Sequence, residues 1–218
     1  NTREKFTRME ESFNYGTEEM TLRKALGLAE GKTKGLLSGE AIEKIRRSSS
    51  EVSLIVSGNK PVYGVNTGFG ALAGSRIPEK DARALQQKIL QSHSVGVGKP
   101  IDPHLVRLMM ITKVHALAKG FSGIHPDTLQ RIIWHIGNNI IPLVPEKGSV
   151  GASGDLAPLA HLFLPLIGLG EVYADRKPVP SSVVLNQYGL QPLQLGPKEG
   201  LALINGTQFI LAYAIANT

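Results

Sequence analysis

The sequence contains no cysteine, and only 6% of its residues are aromatic and 19% charged. Without cysteine the chain can form neither a disulfide nor a thiolate metal site. Its polar start, residues 1–16, lacks the apolar core of a secretory signal. Its most apolar run, residues 156–170, contains His161 and two prolines and is too short to span a bilayer. We therefore expect a cytoplasmic protein with no membrane contact.

Basic residues are in modest excess but are not clustered. Lys and Arg number 24 against 18 acidic residues, which gives a net charge of +6, and the tightest group is Arg46-Arg47. This scatter provides no basic stripe for binding nucleic acid. The six histidines form no His-x-x-x-His pair and no group with carboxylates, so we expect no metal site.

Hydrophobic periodicity predicts a mainly α-helical, multihelical fold with short strands and functional loops. With 42% hydrophobic residues, a chain of 218 residues can bury a sizeable core. Apolar residues recur at helical spacing after a helix entry at Ser38 and in several later segments. The later helices are predicted at residues 79–94, 104–119 and 127–139, from near Asp155, and at 199–216. Short strands are predicted around residues 172–173 and 183–185.

Residues 148–161, Gly-Ser-Val-Gly-Ala-Ser-Gly-Asp-Leu-Ala-Pro-Leu-Ala-His, are the most specific part of the sequence. Taken alone, Ala152-Ser153-Gly154 is a common tripeptide. It would be a flexible loop before a helix whose positive end suits the acidic Asp155. The whole string, however, resembles the signature of the aromatic amino acid ammonia-lyases in its histidine ammonia-lyase form. This resemblance extends over nearly the whole chain, from about Thr21 onward.

The resemblance implies a cofactor made from the chain itself. The backbone nitrogen of Gly154 attacks the carbonyl carbon of Ala152. Loss of water and of the Ser153 hydroxyl then leaves a 4-methylidene-imidazol-5-one, an electrophile that needs no external cofactor. Glycine lets the backbone compress because it has no Cβ, serine supplies the hydroxyl that is eliminated, and alanine is small enough not to obstruct closure. Cysteine could replace Ser153 in this chemistry, whereas alanine could not.

Residues 63–70, Tyr-Gly-Val-Asn-Thr-Gly-Phe-Gly, contain three glycines, which favour a loop over a helix. The segment resembles the catalytic tyrosine loop of the same family, and the resemblance implies that Tyr63 removes a β-proton from the substrate. For that role the phenol has to be ionised near neutral pH, which calls for positive charge or strong hydrogen bonding nearby. The alternative is a tyrosine that packs in the loop with a free hydroxyl.

Two further segments resemble functional motifs of the family. Asn205-Gly206-Thr207-Gln208 resembles an asparagine motif placed between a strand and a helix. The resemblance implies that the Asn205 amide hydrogen-bonds the ring carbonyl or the substrate and withdraws electrons from the electrophile. The alternative is an Asn-Gly turn before an apolar helix.

Ser92-His93 resembles the corresponding pair of the histidine-specific members, in which His93 would contact the substrate imidazole. Such a buried polar contact discriminates well, because an apolar substrate ring leaves it unpaired. The alternative is a structural histidine at a helix end.

The implied activity is the non-oxidative deamination of L-histidine to trans-urocanate and ammonia, a step of histidine catabolism. The alternatives are a tyrosine or phenylalanine lyase, an aminomutase of the same family, and an inactive assembly module. We expect residues 1–218 to form one cofactor-bearing domain, N-terminal to a part that holds an arginine for the substrate carboxylate and the long helices of a homotetramer. The 218 residues alone are therefore expected to be inactive. One departure lies at 113–115, Lys-Val-His, where Arg and Asn are expected in many members.

Overall fold

The structure is a computed structural model, and it describes residues 11–58, 60–68, 77–148 and 154–218. The predicted site residues Tyr63, Ser92, His93, Gly154 and Asn205 lie inside these ranges. Ala152 and Ser153 of the predicted cofactor segment lie outside the described residues, as do the last two residues of the predicted tyrosine loop.

The described ranges contain nine α-helices, which confirms the predicted mainly helical fold. They are α1 (Leu22–Ala29), α2 (Gly39–Ser57), α3 (Glu79–His93), α4 (Pro103–Leu117), α5 (Pro126–Gly137), α6 (Leu156–Phe163), α7 (Ser181–Gln187), α8 (Glu199–Ile204) and α9 (Gln208–Ala216). A turn of 3-10 helix, Leu164–Ile167, continues α6. None of these helices is both long enough and apolar enough to cross a membrane.

Short strands in the same ranges form three small sheets. The strands are β1 (Glu11–Asn14), β2 (Thr33–Leu36), β3 (Val97–Pro100), β4 (Ile141–Pro142), β5 (Pro145–Lys147), β6 (Glu171–Ala174) and β7 (Lys177–Pro180). β1 pairs with β2 in parallel, β3 pairs with β5 antiparallel, and β6 lies between β4 and β7 in an antiparallel sheet.

The helix starts follow from the residues at their N-termini. Ser38 Oγ accepts a hydrogen bond from Ala41 N at 3.1 Å, which confirms the predicted entry to α2. Asp102 accepts from His104 N at 2.7 Å ahead of α4, whose first residue, Pro103, has no N–H to leave unpaired. α3, α4 and α5 confirm the helices predicted at 79–94, 104–119 and 127–139 to within two residues at each end.

Helix α4 lies at the centre of the core and is buried around most of its circumference. Every residue from Leu108 to Val114 is buried, and α1, α5 and α9 pack around the helix. The run includes Lys113, a charged side chain on a residue that is only 2% exposed. A buried amine in an apolar helix costs stability unless it is paired, so its contacts are informative about function.

The two predicted strands had different outcomes. The strand predicted at 172–173 is confirmed as β6. The strand predicted at 183–185 is wrong, because these residues lie in α7. Helix α7 begins directly after Pro180, and Val184 packs with Val172 of β6 in a small apolar cluster. A short apolar run has the same pattern in a buried helix as in a strand, so the packing against the sheet decides between them.

The single helix predicted at 199–216 is wrong in one respect, because the segment forms two helices. α8 ends at Ile204, α9 begins at Gln208, and residues 205–207 between them are not helical. Gly206 has a φ of +154°, which residues with a side chain rarely adopt. This break allows the main chain at Gly206 to pair with Gly154.

Candidate active site

The end of the predicted cofactor tripeptide is held against the loop between α8 and α9. Gly154 and Gly206 form an isolated parallel β-bridge, and Asp155 N donates to the Gly206 carbonyl at 2.9 Å. Gly154 has a φ of +101°, and a Cβ there would overlap the Gly206 carbonyl. Only glycine therefore fits this close approach. The structure brings together two predicted sites, Gly154 and the Asn205 loop, that are distant in the sequence.

Asp155 joins these two segments through its side chain. The residue is fully buried, and its Oδ2 accepts hydrogen bonds from Phe209 N at 3.1 Å and Ile210 N at 3.2 Å, in the first turn of α9. The helix predicted to start near Asp155 is confirmed as α6, which begins at Leu156, but the Asp155 carboxylate makes no capping hydrogen bond to that helix. The free N–H groups of α9 attract the carboxylate instead, because Thr207 at the start of α9 makes no side-chain capping bond.

Asn205 lies between two helices rather than between a strand and a helix, which corrects the predicted setting of the asparagine motif. Asn205 is an exposed residue, but its carbonyl oxygen accepts a hydrogen bond from the buried Lys113 Nζ at 2.6 Å. Among the described residues, Asp155 Oδ1 and Gln208 Oε1 are buried oxygens without a hydrogen-bond partner. Unpaired buried oxygens beside Gly154 and Gly206 are typical of a site that holds a further polar group.

Lys113 is the residue of this site that sequence reasoning did not assign. Burial lowers the pKa of Lys113 to about 7. Among the described residues no carboxylate lies within ion-pair distance of its amine, and its hydrogen bond goes to the Asn205 carbonyl. A lysine inside an otherwise apolar helical run, as in α4, is a sequence signal that could have found it.

The loop that carries Tyr63 is organised by Asn66. This residue is 1% exposed; its Oδ1 accepts from Val62 N at 2.7 Å, and its Nδ2 donates to the carbonyls of Lys60 at 2.9 Å and Ile55 at 3.3 Å. These bonds fix the loop to the end of α2. Tyr63 itself is 60% exposed at the tip of the turn. The hydrogen bonds of Asn66 thus place this loop against α2.

Ser92 and His93 lie at the C-terminal end of α3. The Nδ1 atom of His93 is 2.9 Å from the Ile89 carbonyl oxygen and 3.1 Å from Ser92 Oγ. Because a carbonyl oxygen only accepts, Nδ1 carries the proton in this contact, and Nε2 of the neutral ring is an acceptor. Ser92 Oγ donates to the same carbonyl at 3.3 Å. The helix end therefore fixes both the tautomer and the orientation of the His93 ring.

His161 connects the segment after His93 to the helix after Gly154. On α6, its Nε2 accepts a hydrogen bond from Gly96 N at 3.0 Å, and burial lowers the pKa of His161, so the ring is neutral near pH 7. A Cβ on Gly96 would lie only 3.1 Å from the ring, which makes glycine the residue that best permits this approach. α3 also packs directly against α6 and α8. The His93 segment and the Gly154 segment are thus parts of one packed unit.

A family model described as aromatic amino acid lyase matches residues 20–218. The histidine ammonia-lyase of Enterobacter sp. (strain 638) is 44% identical over 196 residues, which cover 90% of this chain and 39% of that protein. The chain therefore belongs to the aromatic amino acid lyase family. It spans less than two fifths of the length of that relative.

Solved structures of related enzymes have the same fold. The tyrosine aminomutase from Streptomyces globisporus matches with a TM-score of 0.86 and 35% identity, over 94% of this chain and 38% of the other. The histidine ammonia-lyase from Trypanosoma cruzi matches with a TM-score of 0.85 and 35% identity, over 94% of this chain and 39% of the other. Since the two scores are nearly equal, the backbone does not separate a lyase from an aminomutase.

Proposed function

We propose that this chain is the N-terminal, cofactor-bearing part of a histidine ammonia-lyase, which converts L-histidine to trans-urocanate and ammonia. The observation that carries the proposal is the backbone pairing of Gly154 with Gly206, which joins the end of the signature tripeptide to the Asn205 loop. The substrate assignment is supported by identities of 44% to 46% to curated histidine ammonia-lyases. These relatives are much longer than this chain, so in our proposal the full-length protein supplies the rest of the pocket.

The conformation of Gly154 suits a cofactor formed from residues 152–154 of the chain itself. Ring closure requires Gly154 N to approach the carbonyl carbon of Ala152. Gly154 has a positive φ and room at its Cα only for a hydrogen, and both features suit a compressed backbone. The bonds from Asp155 to Gly206 and to α9 hold Gly154 in place from one side. When formed, the methylidene-imidazolone supplies an electrophilic methylene that accepts electrons from the substrate. No external cofactor is required.

Four side chains have proposed roles around this group. Tyr63, exposed at the tip of its loop, takes the β-proton of the substrate. The Asn205 amide, whose main chain is held by Lys113, donates to the ring carbonyl or the substrate. His93 presents Nε2 as an acceptor for a ring N–H of the substrate, and Ser92 helps to hold it. Each of these groups binds the substrate, orients it or moves a proton, and these are the tasks that side chains perform in such a reaction.

An aminomutase or a tyrosine lyase is the second candidate. An Nε2 acceptor on His93 suits a phenol O–H as well as an imidazole N–H, because both groups donate. The structure of a tyrosine aminomutase also matches this chain as well as that of a histidine ammonia-lyase does. Analysis of the products of the full-length protein distinguishes these activities. Urocanate and ammonia support our proposal, whereas a β-amino acid or a cinnamate-type product overturns it.

Replacement of Ser92 by Phe and His93 by Leu is expected to reduce histidine turnover and to favour phenylalanine in competition. An apolar wall leaves an imidazole nitrogen unpaired, and each unpaired buried polar group costs roughly 1–3 kcal/mol. The ratio of the two products from an equimolar mixture of L-histidine and L-phenylalanine measures the effect. Ser94→Ala in the same segment is a matched control and should leave the ratio unchanged. An unchanged ratio in the double variant would refute the role of His93.

The 218-residue chain alone is expected to be catalytically inactive. Helix α9 is apolar on every side, and Ile210, Leu211 and Tyr213 are 52%, 42% and 36% exposed, which is typical of a helix that packs against further protein. In our proposal that protein is the rest of a cytoplasmic homotetramer, which also supplies the carboxylate-binding arginine. Without that further protein, the chain lacks the arginine that positions the substrate. It also has less surrounding structure to hold the strained backbone that cyclisation needs.

The ultraviolet absorbance of urocanate, followed with purified 218-residue chain and with full-length protein, tests this expectation. Intact mass shows in parallel whether residues 152–154 have cyclised, because ring formation removes two waters. If the intact mass of the full-length protein shows that neither water has been eliminated, and the protein does not deaminate histidine, the result supports an inactive assembly module instead. Sustained turnover by the 218 residues alone would show that the remaining protein is dispensable.

A further inference from the structure

Lys113 carries a buried amine, and the stability of the fold does not explain why an amine is present there. Its residue is 2% exposed on α4, where the neighbouring positions Met109, Met110 and Val114 are apolar and buried. Removing a lysine amine from water is expensive, and an apolar side chain of similar length would avoid that cost. A buried amine without a carboxylate partner among the described residues is therefore a candidate for a functional group.

Among the described residues, the acceptor of the Lys113 Nζ hydrogen bond is a carbonyl of the candidate site. Nζ lies 2.6 Å from the carbonyl oxygen of Asn205, which is 92 positions away in the sequence. Only residues 205–207 separate α8 from α9, and Gly206 in this linker pairs with Gly154. Fixing the Asn205 carbonyl thus fixes the plane of the peptide between Asn205 and Gly206. That plane sets both the origin of the Asn205 side chain and the position of Gly206 against Gly154.

We propose that Lys113 is a positioning residue of the lyase reaction: its amine holds the Asn205–Gly206 peptide, which places the Asn205 amide at the reaction centre and keeps Gly206 against Gly154. Asp155 holds the same linker through Gly206 and the first turn of α9. The hydrogen bond from the Lys113 amine to the Asn205 carbonyl also polarises this peptide. The expected effect of Lys113 on catalysis rests on the proposed function, whereas its effect on the Asn205–Gly206 peptide does not.

Three variants of the full-length protein test the proposal. Lys113→Met removes the amine and keeps an unbranched chain, Lys113→Arg keeps the charge and the donors, and Lys119→Met is a control at an exposed lysine just beyond the same helix. Hydrogen–deuterium exchange of residues 205–210 is the first readout, with the β6–β7 hairpin as an internal reference. We expect exchange in 205–210 to be about tenfold to a hundredfold faster in Lys113→Met, as for loss of a charge-assisted hydrogen bond.

Steady-state kinetics on L-histidine are the second readout. Lys113→Met should lower kcat with a smaller change in KM, because Asn205 acts on the reacting centre, and Lys113→Arg should recover part of both the exchange protection and kcat. Unchanged exchange in residues 205–210 of Lys113→Met would overturn the proposal. An equal rise of exchange in the β6–β7 hairpin would also overturn it, because such a rise indicates general destabilisation. If Lys113→Met does not fold, Lys113→Gln is measured in the same way. If the wild-type protein lacks lyase activity, the proposed function fails and the exchange result still decides the role of Lys113.

Discussion

Ser153→Ala is expected to reduce deamination by the full-length protein to background while leaving its circular dichroism spectrum unchanged. The reason is chemical: the methylene of the proposed cofactor derives from the Ser153 side chain, and an alanine methyl group has no hydroxyl to eliminate. Gly154 is held by Gly206, and Asp155 by α9, through main-chain groups and a carboxylate. The fold should therefore persist when the chemistry is lost.

Two companion variants make this result specific. Ser149→Ala removes a hydroxyl from the same glycine-rich segment and should retain activity. Ser153→Cys introduces the sole thiol of the chain, which can also be eliminated, and should restore part of the activity. Turnover is followed by urocanate absorbance, and intact mass reports whether the side-chain elimination has taken place, with loss of water from Ser153 or of hydrogen sulfide in Ser153→Cys. Near-normal turnover by Ser153→Ala would refute the cofactor assignment.

Local signals in the sequence predicted those helices whose caps and periodicity agree. α2 has Ser38 at its N-terminus, α4 has Asp102 and Pro103, and both were predicted correctly. The segments that were wrong are those whose structure depends on distant partners. Residues 183–185 become helical against β6, and the helix predicted at 199–216 is interrupted where Gly206 meets Gly154. Neither partner can be read from a window of neighbouring residues.

The same distinction applies to the candidate site. The segments at Tyr63, Ser92-His93, 152–154 and Asn205 were found because each contains a specific string of residues. The groups that hold them were not found. Asp155 bonds α9 instead of its own helix, and Lys113 holds the Asn205 carbonyl across 92 positions. His161 holds Gly96 across 65 positions. Supporting contacts of this kind are made by common residue types at large separations, so a single sequence carries little information about them.

Tyr63→Phe is expected to lower kcat by a factor of about 10² to 10⁴, the usual contribution of a general base, with a smaller effect on KM. The substitution removes one hydroxyl and keeps the ring. The loop should keep its shape, because Asn66 holds it through main-chain groups at Val62, Lys60 and Ile55. Loss of turnover in a correctly folded variant would therefore reflect the missing proton acceptor.

Steady-state kinetics with L-histidine and with its β-deuterated form measure this effect. If Tyr63 takes the β-proton, removal of that proton becomes slower in Tyr63→Phe, and the isotope effect on kcat should exceed that of the wild-type protein. Tyr188→Phe is a matched control, because Tyr188 is similarly exposed, at 52%, and packs on Trp134 outside the candidate site. A loss confined to KM, with kcat and its isotope effect unchanged, would mean that Tyr63 binds the substrate and that another group takes the proton. The ring of Tyr63 would then matter for contact area, and its hydroxyl for a hydrogen bond to the bound amino acid.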